Sequence, residues 1–155
     1  MKLKLFLLVA ICFILSGCII EPENSNIPNS MVNFYIDVSL SGTDNSLADG
    51  ILGNSKIYTK SKPSKLSPNG SYGYSGVVVV RAYDNHLYAF DICCTYEVDK
   101  NVALIEDGYF LKCPKCGSTF EIGNGTGIKS SGPAMQSLKK YHTSENSTQK
   151  IRVYN

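Results

Sequence analysis

The sequence predicts an all-β domain built from many short antiparallel strands. Three observations predict it. Val, Ile, Thr, Ser and Tyr are frequent while Trp is absent, a composition that suits pleated, half-buried surfaces. Short apolar or alternating runs recur between segments rich in Gly, Pro, Asn and Ser. Beyond residue 17, no stretch carries the 3.6-residue apolar period of a long helix.

The first element is an export signal. Lys2 and Lys4 precede an apolar run from Leu5 to Leu15. That run is shorter than the about 20 residues a helix needs to span a bilayer. It ends in Leu15-Ser16-Gly17-Cys18, the pattern of a bacterial lipobox. Residues 1–17 are therefore expected to be a lipoprotein signal peptide, and Cys18 the acylated first residue of the mature chain. The expected location is the cell envelope, outside the cytoplasm, at the outer membrane or the surface. The bilayer is the expected partner, held through acylated Cys18 alone. With Lys2 and Lys4 removed, 13 basic residues face 13 acidic ones. That balance argues against nucleic acid as a partner.

Residues 18–30, polar and with two prolines, read as a flexible tether. Residues 31–155 form one domain, a size usual for a single core. Val32 to Val38 reads as a strand. Residues 41–55, rich in Gly, Asn, Asp and Ser, read as a loop, and Lys56-Ile57-Tyr58 as a short strand. Residues 60–75 form a second long loop. Gly76 to Tyr83 is a strong buried strand. Asp84-Asn85-His86 supplies turn chemistry and Leu87 to Phe90 runs back, a hairpin. Tyr109–Lys112 and Thr119–Ile122 are two further short strands around a cysteine-containing turn. Gln149 to Tyr154 is the last strand.

Cys12 leaves with the signal, so four cysteines remain in the domain: Cys93, Cys94, Cys113 and Cys116. Cys113-Pro114-Lys115-Cys116-Gly117 reads as a knuckle. Two thiolates three positions apart, on a turn shaped by Pro and Gly, can point at one metal centre.

In this arrangement residues 76–155 resemble a Rieske iron–sulfur domain. The resemblance rests on Cys94-Thr95-Tyr96, then sixteen residues, then Cys113-Pro114-Lys115-Cys116-Gly117-Ser118. It rests also on the strand Leu87–Phe90 before the first loop. Gly132-Pro133-Ala134 stands where the family's proline loop covers the cluster. The resemblance implies a fold of small antiparallel sheets, a sandwich or partial barrel, with the site at the tip of one subdomain. It implies Cys94 and Cys113 as ligands and Ser118 and Pro133 as their supporting shell. The family's two histidine ligand positions are changed here, to Tyr96 and Cys116.

Three readings of the site follow. In one, a 2Fe–2S cluster binds through Cys94, Cys113 and Cys116, with Tyr96 or Cys93 as fourth ligand. Cys93 is the better donor chemically, but neighbours on an extended strand point opposite ways. In another, a disulfide from Cys94 to Cys113 or to Cys116 staples the loops, since disulfides persist outside the cytosol. In the third, zinc takes the cluster's place. His86 and His142 lie at neither ligand position, and Gly123-x-Gly125-x-Gly127 reads as turn chemistry rather than a nucleotide loop. No constellation for hydrolysis or group transfer is present. The expectation is a membrane-anchored single-electron carrier with an unnamed redox partner, rather than an enzyme. A cluster-free binding or structural module is the alternative.

Overall fold

The structure, a computed structural model, describes residues 25–145 and 149–155. The expected signal peptide and Cys18 lie outside the described residues. The described chain is all-β, with a single short 3-10 turn at Asn45–Leu47. Its strands are β1 (Val32–Asp37), β2 (Ser55–Tyr58), β3 (Ser71–Tyr72), β4 (Val77–Arg81), β5 (Leu87–Asp91) and β6 (Ile105–Asp107). The remainder are β7 (Phe110–Lys112), β8 (Thr119–Glu121), β9 (Lys129–Ser131), β10 (Lys140–Glu145) and β11 (Lys150–Tyr154).

Two antiparallel sheets result. The larger has the order β2-β4-β5-β10-β11-β1-β3, the smaller β6-β7-β8-β9. The larger sheet curls until its ends meet. Phe34 of β1 lies 5.2 Å from the ring of Tyr58 in β2 and 4.7 Å from that of Tyr72 in β3. The core inside the curl joins Phe34, Ile36, Tyr58, Val77, Val79, Ala89, Ile151 and Val153.

The run Val77-Val78-Val79-Val80 explains how the second sheet attaches. Alternate side chains of a strand face opposite ways. Val77 and Val79 enter the first core, while Val78 and Val80 enter a second one. β4 is therefore buried on both faces, which is why it reads as an unbroken apolar run rather than an alternation. The second core packs Val78, Val80, Phe90 and Ile92 against Leu104, Leu111, Phe120 and Ile122 of the small sheet and its approach. Cys94 and Cys113 belong to this core.

The β4–β5 hairpin matches the expected one. It turns through Tyr83, Asp84 and Asn85, with Asn85 in the left-handed region at φ 66°. Strands β3, β6, β9 and β10 lie outside the sequence-based reading. β10 carries little apolar signal because Tyr141 is its one buried side chain among those described, though it joins β5 to β11 at the middle of the sheet. The end of the expected tether also differs from a free chain. Ile27 is 3% exposed, and Lys139 Nζ binds Ile27 O, Pro28 O and Asn29 Oδ1 at 3.3, 3.4 and 2.6 Å. An apolar residue flanked by polar ones can dock on a domain, which composition alone does not reveal.

Candidate metal centre

Two loops form the site. The first leaves β5 and runs to Leu104; the second joins β7 to β8. Both make the same turn. In the second, Gly117 N–H donates to Cys113 O at 3.0 Å, with Gly117 at φ 75°. In the first, Val98 N–H donates to Cys94 O at 2.9 Å, with Val98 at φ 45°. Each loop is thus a knuckle that begins at a cysteine and closes four residues later through a left-handed residue. Glycine adopts that conformation freely, whereas a β-branched residue is strained in it.

The knuckles aim three thiols at one point. The Sγ atoms of Cys94, Cys113 and Cys116 all lie within 4.8 Å of one another, and those of Cys94 and Cys116 are 3.7 Å apart. All four cysteines of the domain are free thiols. The separation of Cys94 and Cys116 is far longer than the about 2.05 Å of a disulfide, so neither expected staple is formed. Cys94 and Cys113 are buried and Cys116 partly so.

Cys93 sits elsewhere. Its Sγ approaches Cys94 O at 3.7 Å and Asp99 O at 3.8 Å, and its backbone bridges to Ala103. The alternation of an extended chain has turned the two neighbouring thiols apart. Tyr96 is 56% exposed, and it is its backbone N–H that is turned toward Cys94 Sγ. His86 pairs with Asp84 on the surface and His142 stacks on Tyr154, so neither joins the thiols.

The thiols differ in acidity. Burial pushes Cys94 up to about 12, although the backbone N–H groups of Glu97 and Tyr96 oppose this. Burial likewise pushes Cys93 up to about 11. Burial also acts to raise Cys116, but hydrogen bonding to the Ser118 side chain and backbone outweighs it and holds that thiol below the ordinary value. In the thiol form Cys116 Sγ donates to Ser118 Oγ at 3.2 Å; once the sulfur is ionised it accepts from that hydroxyl instead, which is how Ser118 lowers its pKa. Ala134 N–H donates to the same oxygen at 3.0 Å. The Gly132–Ala134 loop therefore covers Ser118 from above. Pro133 itself is exposed, and its neighbour Ala134 makes the contact. Gly132 permits the approach: a Cβ there would stand 2.5 Å from Ser118 Cα, and its φ is 87°.

One residue pair escaped the sequence reading. Lys115 Nζ lies 2.7 Å from Glu97 Oε2, tying one knuckle to the other. Glu97 is three positions after Cys94, as Cys116 is after Cys113. That equal spacing was the available signal.

The donors suit a soft metal. At a metal–sulfur distance of about 2.3 Å, tetrahedral ligands stand about 3.8 Å apart, close to the Cys94–Cys116 separation. Backbone N–H groups aimed at sulfur favour thiolates. For a two-iron cluster the group supplies three of the four protein ligands.

No protein-family model matches the chain, and no curated protein matches it. Among solved structures, one similar chain comes from a complex of reduced oxygenase and oxidized ferredoxin in carbazole 1,9a-dioxygenase. The identity is 17%, the TM-score 0.48, and the match covers 79% of this chain and 93% of that one.

Proposed function

We propose that this chain is an envelope-tethered, Rieske-like electron carrier whose Cys94, Cys113 and Cys116 hold a 2Fe–2S cluster. The convergence of three thiols from two matched knuckles carries the reading. A fold that needed only its turns would have no reason to bring three cysteine sulfurs within 4.8 Å of one another, two of them buried. When bound, such a centre supplies one-electron chemistry, at low potential because thiolates place negative charge beside the irons. Cys94, Cys113 and Cys116 would supply three of the four ligands and Cys93 the fourth, which leaves Tyr96 at the surface, where it is 56% exposed. Ser118 keeps Cys116 available as a thiolate, and the Gly132–Ala134 loop holds Ser118 in place through Ala134 N–H. Acylated Cys18 holds the domain at its membrane, and the redox partner meets it there.

A second reading is favoured by one observation. Cys94 and Cys116 stand as close as two ligands of a single tetrahedral ion, either iron or zinc, with Cys113 within 4.8 Å of both and the fourth position left to another donor. One experiment separates these readings. The native protein, purified anaerobically, is assayed for iron, acid-labile sulfide and zinc. Iron and sulfide in equal amounts support the cluster. One metal per chain without sulfide supports the single ion. No metal together with lost thiols leaves the disulfide-stapled module and removes both.

A further inference from the structure

The chain's route out of the domain carries information about what the thiol end faces. Asn26 is fastened to the first loop of the site and to the segment that follows the Gly132–Ala134 loop. Its backbone N–H donates to Gln136 Oε1 at 2.9 Å, and its side-chain amide donates to Thr95 O at 2.6 Å. Thr95 Oγ1 in turn donates to Gln136 O at 2.9 Å, closing a small ring around the exit. Thr95 follows Cys94 directly, and Gln136 lies two residues after Ala134, which caps Ser118. The next residue, Ile27, is buried.

The residues beside those two partners are large, apolar and uncovered. Tyr96 is 56% exposed and Met135 is 90% exposed. The chain therefore enters the domain between two apolar side chains that nothing among the described residues covers.

We propose that the thiol end of the domain rests on the bilayer that holds the anchor, with Met135 and Tyr96 in the lipid interface. The inference rests on the lipoprotein reading of Cys18. Asn26 is eight peptide steps from Cys18. Fully extended, eight steps reach about 28 Å. A globule of about 130 residues has a radius of gyration near 14 Å, hence a width of about 36 Å. A tether fastened at the thiol end is shorter than the domain is wide, so it cannot let the domain present its opposite pole to the membrane. Tyr has an apolar ring and a polar hydroxyl, which suits it to the headgroup level, and Met adds flexible apolar area. The electron partner of such a site is membrane-borne, because the face that carries the thiols is the face nearest the lipid.

The chain has no tryptophan, so a single introduced one is a clean reporter. The full chain is expressed with its signal, and acylation of Cys18 is verified by mass. It is then placed in phosphatidylcholine vesicles with plain or brominated acyl chains. Two variants are compared, Met135→Trp and Leu40→Trp. Leu40 is 76% exposed and lies beyond the end of β1 opposite to the tether. The brominated lipid is expected to quench the Met135→Trp emission about twofold, as for a side chain in the acyl boundary, and to leave Leu40→Trp unchanged. Equal quenching of both, or none at position 135, overturns the inference. A blue-shifted but unquenched emission at 135 also overturns it, since a protein would then cover the face. An unacylated chain shows in the mass and removes the lipoprotein reading itself.

Discussion

Val98 closes its knuckle at φ 45°, where a branched Cβ crowds the backbone. The corresponding residue of the other knuckle is Gly117. Left-handed geometry costs an L-residue roughly 1–2 kcal/mol, while a glycine costs somewhat less in lost chain entropy. Val98→Gly should therefore raise stability, by at most about 1 kcal/mol, in a denaturant titration. A loss larger than that would mean that the half-buried side chain packs more usefully than the strain harms. Ser118 has the opposite character. Its buried hydroxyl accepts from Ala134 N–H and is hydrogen-bonded to Cys116 Sγ, donating to it when that sulfur is ionised. Ser118→Ala leaves the Ala134 N–H without a partner inside the protein, at a cost of about 1–3 kcal/mol. It also removes part of what holds Cys116 below the ordinary thiol value. The apparent pKa for alkylation of Cys116 in the reduced, metal-free protein should rise, while Cys94 stays slow.

At the scale of elements, Asp44 joins three of them. Its carboxylate accepts from Lys56 Nζ at 2.7 Å, Tyr58 OH at 2.8 Å, Asp37 N–H at 3.0 Å and Thr43 Oγ1 at 2.9 Å. It thereby pins the 41–55 loop between β1 and β2. Burial acts to raise its pKa, but these hydrogen bonds, led by that of Lys56, bring the net value below the ordinary one. A folded pKa below the unfolded one adds stability above the unfolded value of about 3.9. That stability is lost as pH falls through the folded pKa. Asp44→Asn should lose about 1–3 kcal/mol at pH 7. Thermal unfolding from pH 7 down to 2 should show the two proteins converging below about pH 4. Parallel curves throughout would assign the effect to shape rather than charge. The Gly132–Ala134 loop makes a similar junction without any charge. Its approach to Ser118 depends on the missing Cβ of Gly132.

The whole molecule is two cores that share β4 and β5, with the thiols in the second core and the chain's entry beside them. Folded contacts begin at Ser25 among the described residues. Cys18→Ser should thus release the domain from the membrane fraction, even in high salt, with its melting temperature unchanged. A variant that still pellets points to another anchor. Ile27→Ser should act the other way round, staying on the membrane while losing about 2 kcal/mol of stability from the lost burial of an apolar side chain. A melting curve like the parent's would mean that the 25–30 segment lifts off without cost.

Much of this was legible in the residues. Fold class, the buried β4 strand and its hairpin follow from local pattern, because side-chain period and turn chemistry act between neighbours. The second knuckle was legible too, since Cys113-Pro114-Lys115-Cys116-Gly117 specifies its own turn, whereas the first, closed by Val98 rather than a glycine, carried no such signal. Strands β3, β6, β9 and β10 were not. They are short or polar, and pairing with stronger neighbours makes them strands. The choice among the cysteines was left open by the sequence as well. Adjacent thiols point apart only once the chain is extended, and the Cys93–Ala103 bridge is what extends it. Likewise Glu97 meets Lys115, and Asn26 meets Thr95 and Gln136, across 18, 69 and 110 residues of chain. Local chemistry determined which turns and strands the chain would make. Only packing, which joins residues without regard to their separation in sequence, decided which thiols converge and what stands beside them.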